Sequence, residues 1–122
     1  MYTLEDLEVY KLSTEIRRDF STVSKNLPKD EMYLLKNQII RASRSAPANI
    51  AEGYGRYHYQ EQIQYCRQAR GSLFELKDHL MVCLEESNII KAEYDNKIEA
   101  LNEVIKKLNG YIKYLNNQKN NK

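Results

Sequence analysis

Residues 38–56 read QIIRASRSAPANIAEGYGR, and this stretch decides the fold. Leu35, Ile39, Ala42, Ala46, Ile50 and Gly53 recur every three or four residues, which gathers them into one apolar stripe along a helix. Half of the stripe is small. Small side chains let two helix backbones approach closely, so the segment belongs at the centre of a helical bundle. Beside it runs a second stripe, Gln38, Arg41, Ser45, Asn49, Glu52 and Arg56, in which every member is polar. Amides, a hydroxyl, arginines and a carboxylate in register point to a hydrogen-bonded ladder; the plainer alternative is a solvated face. Arg41 and Glu52 are about three turns apart, so each must find its partner on another helix or in water.

The back of the same helix carries Tyr33, Ile40, Pro47 and Ala51, with Lys36 and Arg44 among them. A helix that already buries one side should not need a second apolar face within a four-helix monomer, so these four residues are expected at an oligomer contact. Pro47 lacks a backbone donor and should bend the helix. Gly53 reads as its carboxy-terminal stop.

Working outward, a third helix follows the Tyr54–Tyr57 loop. Its inner stripe is Tyr59, Ile63, Cys66, Ala69, Leu73, Leu76, Leu80 and Cys83, flanked by Tyr65, Gln68, Ser72, Glu75 and His79. Glu75 is the natural partner of Arg41, and Gly71 beside Ser72 should permit the close approach that pair needs. Gln38, Arg41, Asn49, Glu52, Ser72 and Glu75 therefore form the expected structural polar network. Cys66 and Cys83, separated by some 25 Å along one helix, cannot join in a disulfide and read as reduced, packed thiols.

The outer helices are simpler. Thr3 and Asp6 have the spacing of an amino-terminal cap, and Leu12, Ile16, Phe20, Val23 and Leu27 continue the first helix to a turn at Pro28. The last helix has the cleanest repeat in the chain, Tyr94, Ile98, Leu101, Ile105, Leu108, Ile112 and Leu115, before a polar tail, NNQKNNK, expected to fray from about residue 116. The chain thus reads as one all-α domain, 1–122, an up-down-up-down four-helix bundle with helices at about 4–27, 30–53, 58–87 and 92–116.

Composition narrows the function. The 122 residues suit a single modest core, and no signal peptide or apolar run of about 20 residues is present, so a cytoplasmic protein with no membrane partner is expected. Net charge is only +2, but it is unevenly spread. Residues 36–70 carry six basic side chains against two acids, while residues 71–104 carry eight acids against three lysines. Glu75, His79 and Cys83 stand four apart on one helix, yet metal sites usually recruit a ligand from a second element, and no metal or other cofactor is expected. No serine elbow, phosphate loop or Cys–His pair supports catalysis, so the chain does not read as an enzyme. Between Tyr54 and Arg70, tyrosines alternate with Arg56, His58, Arg67 and Arg70, opposed only by Glu61. Guanidinium groups contact phosphates and tyrosines stack on bases, so Arg44, Arg56, Arg67, Arg70, Tyr54 and Tyr57 are the candidate nucleic-acid contacts.

Two segments also carry a resemblance: residues 38–53, QIIRASRSAPANIAEG, and residues 69–76, ARGSLFEL, with LEVY at 7–10 ahead of them. Together they resemble the signatures of the bacterial four-helix-bundle family known as the 23S rRNA-intervening-sequence protein family, to which the accessory proteins of diversity-generating retroelements are similar. The resemblance implies a homopentameric barrel, and a basic surface that binds nucleic acid and a reverse transcriptase or other protein; the interleaved tyrosines and arginines favour RNA before DNA. Its signature positions here, among them Gln38, Arg41, Asn49, Glu52, Gly53, Gly71, Ser72 and Glu75, look architectural more than catalytic. Two readings follow: a non-enzymatic homo-oligomeric nucleic-acid-binding accessory protein, or a structural adaptor bundle that binds a protein partner through the acidic stretch from Glu85 to Glu103 or the outer face of the second helix.

Overall fold

Thr3 N donates to Asp6 Oδ2 at 2.9 Å and the Thr3 hydroxyl donates to the same oxygen at 3.1 Å. This cap closes only a short 3-10 turn, Leu4–Asp6; Leu7 is then extended, and the first helix, α1 (Glu8–Lys25), starts after it. In the computed structural model, which describes residues 3–28 and 33–121, α2 (Tyr33–Tyr54), α3 (Tyr59–Glu85) and α4 (Lys91–Asn120) complete a four-helix bundle. The expected start of the second helix at residue 30 lies outside the described residues. The tail expected to fray from 116 instead continues α4 to Asn120.

The α3–α4 turn has a specific cause. Ser87 takes φ 61°, a left-handed conformation, which lets Asn88 N reach Cys83 O at 2.8 Å and Ser87 N reach Leu84 O at 3.0 Å. Those two bonds satisfy carbonyls that the end of α3 would otherwise leave open.

The buried stripes meet as the periodicity requires. Phe20, Ile39, Ile50, Ile63, Leu73, Leu76, Leu80, Leu101 and Leu108 fill one core fed by all four helices. The small stripe has the expected effect: α2 and α3 are the most extensively packed pair, with Ala42, Ala46 and Ala69 fully buried. Gly53 belongs to this contact. A Cβ there would lie 2.9 Å from Tyr65 Cβ and 3.2 Å from Gln62 O, and φ is not positive, so its role is close approach and α2 runs past it to Tyr54. Gly71 differs: a Cβ there would meet nothing within 4 Å, so it does not serve the approach of Glu75 to Arg41.

Each helix touches two neighbours, with α1 against α4 the most sparsely packed seam. α2 therefore buries two sides after all, one on α3 and one on α1. Pro47 is buried, Ile40 and Ala51 are half-buried and only Tyr33 stands exposed, so the face expected at an oligomer contact is mostly covered by α1 of the same chain.

Candidate nucleic-acid interface

Every third or fourth residue of α1 turns the same side toward α2, and near its carboxy-terminal end that side carries Arg17, Arg18, Ser21 and Lys25. Because the helices run antiparallel, these meet the start of α2, where Lys36 and Arg44 flank Ile40 and Ser43. The result is a groove of about 540 Å³ whose lining, among the described residues, has five cationic side chains and no acid. The acids of α1 project elsewhere: Glu15 and Asp19 face α4, where Asp19 accepts from Lys97 Nζ. Among the described residues, Arg17, Arg18, Lys25, Lys36 and Arg44 make no ion pair and no side-chain hydrogen bond. Ser24 and Ser43 Oγ donate to backbone carbonyls at 2.8 and 2.9 Å, so their own needs are met within the helices. Like charges gathered without counter-charge raise the local potential and favour an anionic ligand.

Of the six expected nucleic-acid contacts, the structure brings only Arg44 into this groove. Arg56 is engaged at the α2–α3 corner: Nη2 donates to Glu52 Oε1 and to Tyr65 OH, each at 2.8 Å, Nη1 lies 3.5 Å from Glu61 Oε2, and the guanidinium sits 5.1 Å from the Tyr65 ring centre. The Glu52 hydrogen bond, followed by Tyr65, holds the Arg56 guanidinium above its ordinary pKa. Arg70 Nη1 donates to Asn109 Oδ1 at 2.7 Å, tying α3 to α4. Arg67 is exposed, Tyr57 is exposed with its ring edge-on to His58, and Tyr54 is half-buried in a second cavity at the opposite end of α2. The other four cations of the groove, Arg17, Arg18, Lys25 and Lys36, are not among the six expected residues. Their signal was present in the three- and four-residue spacing on α1 combined with antiparallel pairing, but a charge tally by chain segment separates residues that pairing brings together.

The polar ladder exists and lies at the rim of the α2–α3 contact. Arg41 pairs with Glu75 as expected, and Glu75 Oε2 also bonds His79 Nε2 at 2.9 Å. Burial pushes the Glu75 carboxyl up, but the His79 hydrogen bond and the Arg41 charge together outweigh it and leave the pKa below the ordinary carboxylate value. The Arg41 side chain is 62% exposed, so the pair is a surface clasp. Lower down, Ser72 Oγ meets Ser45 Oγ at 2.9 Å, and Asn49 Nδ2 donates to Ser45 O and Oγ, both at 2.9 Å. Glu52 closes the ladder on Arg56. Gln38 is half-buried beside it.

Among the described residues no three His, Cys, Asp or Glu side chains converge as metal ligands, and no helix is long and apolar enough to cross a membrane. Burial pushes the Cys66 and Cys83 thiols up to about 11, which keeps both protonated near neutrality and poor as nucleophiles. A family model described as 23S rRNA-intervening sequence protein matches residues 5–110. No curated protein matches the chain.

Proposed function

The chain belongs to the 23S rRNA-intervening sequence protein family, and from that membership we propose that it is a non-enzymatic nucleic-acid-binding accessory protein, homo-oligomeric as a pentamer, cytoplasmic, and directed to RNA before DNA. The observation that carries the reading is the α1–α2 groove, whose lining among the described residues has five cations without an ion pair and no acid. Phosphates are the anions such a groove suits, because guanidinium and ammonium groups displace the counterions of a nucleic-acid strand.

The test is binding of the purified protein to single-stranded RNA, duplex RNA and DNA across a salt series, with solution mass measured on the same sample. If all five cations engage a single strand, log affinity should fall with log salt at a slope of about −3.5, and replacing Arg17 and Lys36 by alanine should reduce that slope by roughly 1.4. A mass five times the 14.4 kDa chain supports the pentamer. An oligomer that binds no nucleic acid at low salt overturns the reading.

A second reading rests on a different seam. Where α1 and α4 pack sparsely, Leu12, Ile16 and Val104 floor a crevice of about 340 Å³ whose rim includes Glu15 and Glu103, with Glu99 next to it. That chemistry suits a protein partner with basic residues around an apolar anchor. Under this adaptor reading, a partner stays bound when Arg17 and Lys36 are replaced.

A further inference from the structure

The seam between α1 and α2 continues beyond the cationic groove. From Lys25 toward the amino terminus, the positions of α1 on that side are Ser21, Arg18, Thr14 and Lys11, ending at Leu7; on α2 the facing positions run from Lys36 through Arg44, Pro47 and Ala51 to Tyr54. None of these is an acid. Leu7 and Tyr54 then enter a second cavity of about 430 Å³, walled by Tyr59, Gln62, Tyr111 and Tyr114, roughly 27 Å from Lys25 by helical rise. Tyr111 and Tyr114 lie nearly parallel, 15° apart with ring centres separated by 6.2 Å, and the Gln62 amide is anchored by donating to Arg56 O at 2.9 Å. Among the described residues no charged side chain lines this cavity, so it is unsuited to phosphate and suited to a neutral planar ring.

A single strand offers both chemistries in one molecule, a charged backbone and planar bases that every aromatic side chain can stack on. Resting on the nucleic-acid reading above, we propose that the tyrosine pocket receives an unpaired base of the same single strand whose phosphates occupy the cationic groove at the other end of the seam. The ligand is thereby defined as single-stranded. A duplex can lay phosphates along the cations but holds its bases paired and out of reach of the pocket.

The experiment uses the intact protein and a short single-stranded RNA carrying a fluorescent adenine analogue, with the matching duplex and an abasic version as controls. Binding should quench the analogue, and the abasic strand should bind more weakly. Tyr114 is 53% exposed, so it can be replaced without opening the core. Tyr114→Ala should weaken single-strand binding about tenfold, the loss expected for one stacked base, while Tyr114→Phe retains it and duplex affinity does not change. Single-strand binding that is insensitive to the abasic site and to Tyr114→Ala overturns the pocket assignment but leaves the nucleic-acid reading standing. A pocket that takes a proline-rich peptide and leaves the base analogue unquenched also overturns the assignment. No binding to any nucleic acid overturns both.

Discussion

A methyl group at Gly53 would stand 2.9 Å from Tyr65 Cβ, whereas one at Gly71 or Gly110 would meet nothing within 4 Å. The same substitution should therefore change sign along the chain. Gly53→Ala is expected to lower the melting temperature, because forcing α2 away from α3 costs about 1–3 kcal/mol and outweighs the gain in helix propensity. Gly71→Ala and Gly110→Ala should each raise stability by about 1 kcal/mol, since an exposed helix-interior glycine only adds flexibility to the unfolded chain. Thermal melts of the three variants check both signs. This distinction was not legible in the sequence: Gly53 looked like a helix stop and Gly71 like a point of close approach, because only the neighbouring helix shows which one faces a backbone. Glu75 was legible as the partner of Arg41 from matching stripes, but its exposure was not. With its folded pKa held down, the stabilisation from Glu75 is present above the unfolded carboxylate value near 4.3 and is lost as pH falls through the lower folded value. Glu75→Gln should accordingly cost at most about 1 kcal/mol at neutral pH, because the Arg41 end lies in water, and less in acid. Denaturant unfolding at both pH values measures it.

Single helices were read well where one face is continuously buried. The repeat from Tyr94 to Leu115 and the stripe from Ile39 to Ile50 place α4 and α2 because burial on one side leaves a period of three and four in the residue pattern. Ends were read less well. Leu7 interrupts the first helix because a short turn has already satisfied the Thr3–Asp6 cap, and α4 outlasts its apolar repeat because its final polar residues still form backbone bonds. The turn after α3 is the most exposed weakness at this scale. Ser87 carries a side chain in a left-handed conformation that glycine adopts without steric cost. Ser87→Gly should stabilise the protein by roughly 1 kcal/mol, provided the cap bonds to Cys83 and Leu84 are kept, as read from the shift in denaturation midpoint.

At the scale of the molecule, charge is sorted around α1 more sharply than along the chain. Its side toward α2 holds Arg17, Arg18 and Lys25, and its side toward α4 holds Glu15 and Asp19, so one helix divides a cationic seam from an acidic one. Residue composition recorded the numbers of these groups but not this partition, since adjacent residues such as Arg18 and Asp19 point to different neighbours. Tyr111 and Tyr114 were likewise invisible as companions of Tyr54, lying more than fifty positions away until the bundle closes. The loose packing of α1 against α4 has a dynamic consequence: three seams hold the bundle and the fourth only latches it. Opening should begin by parting that latch, so native-state amide hydrogen exchange is expected to be faster in α1 and α4 than in α2 and α3, whose amides should wait for global unfolding.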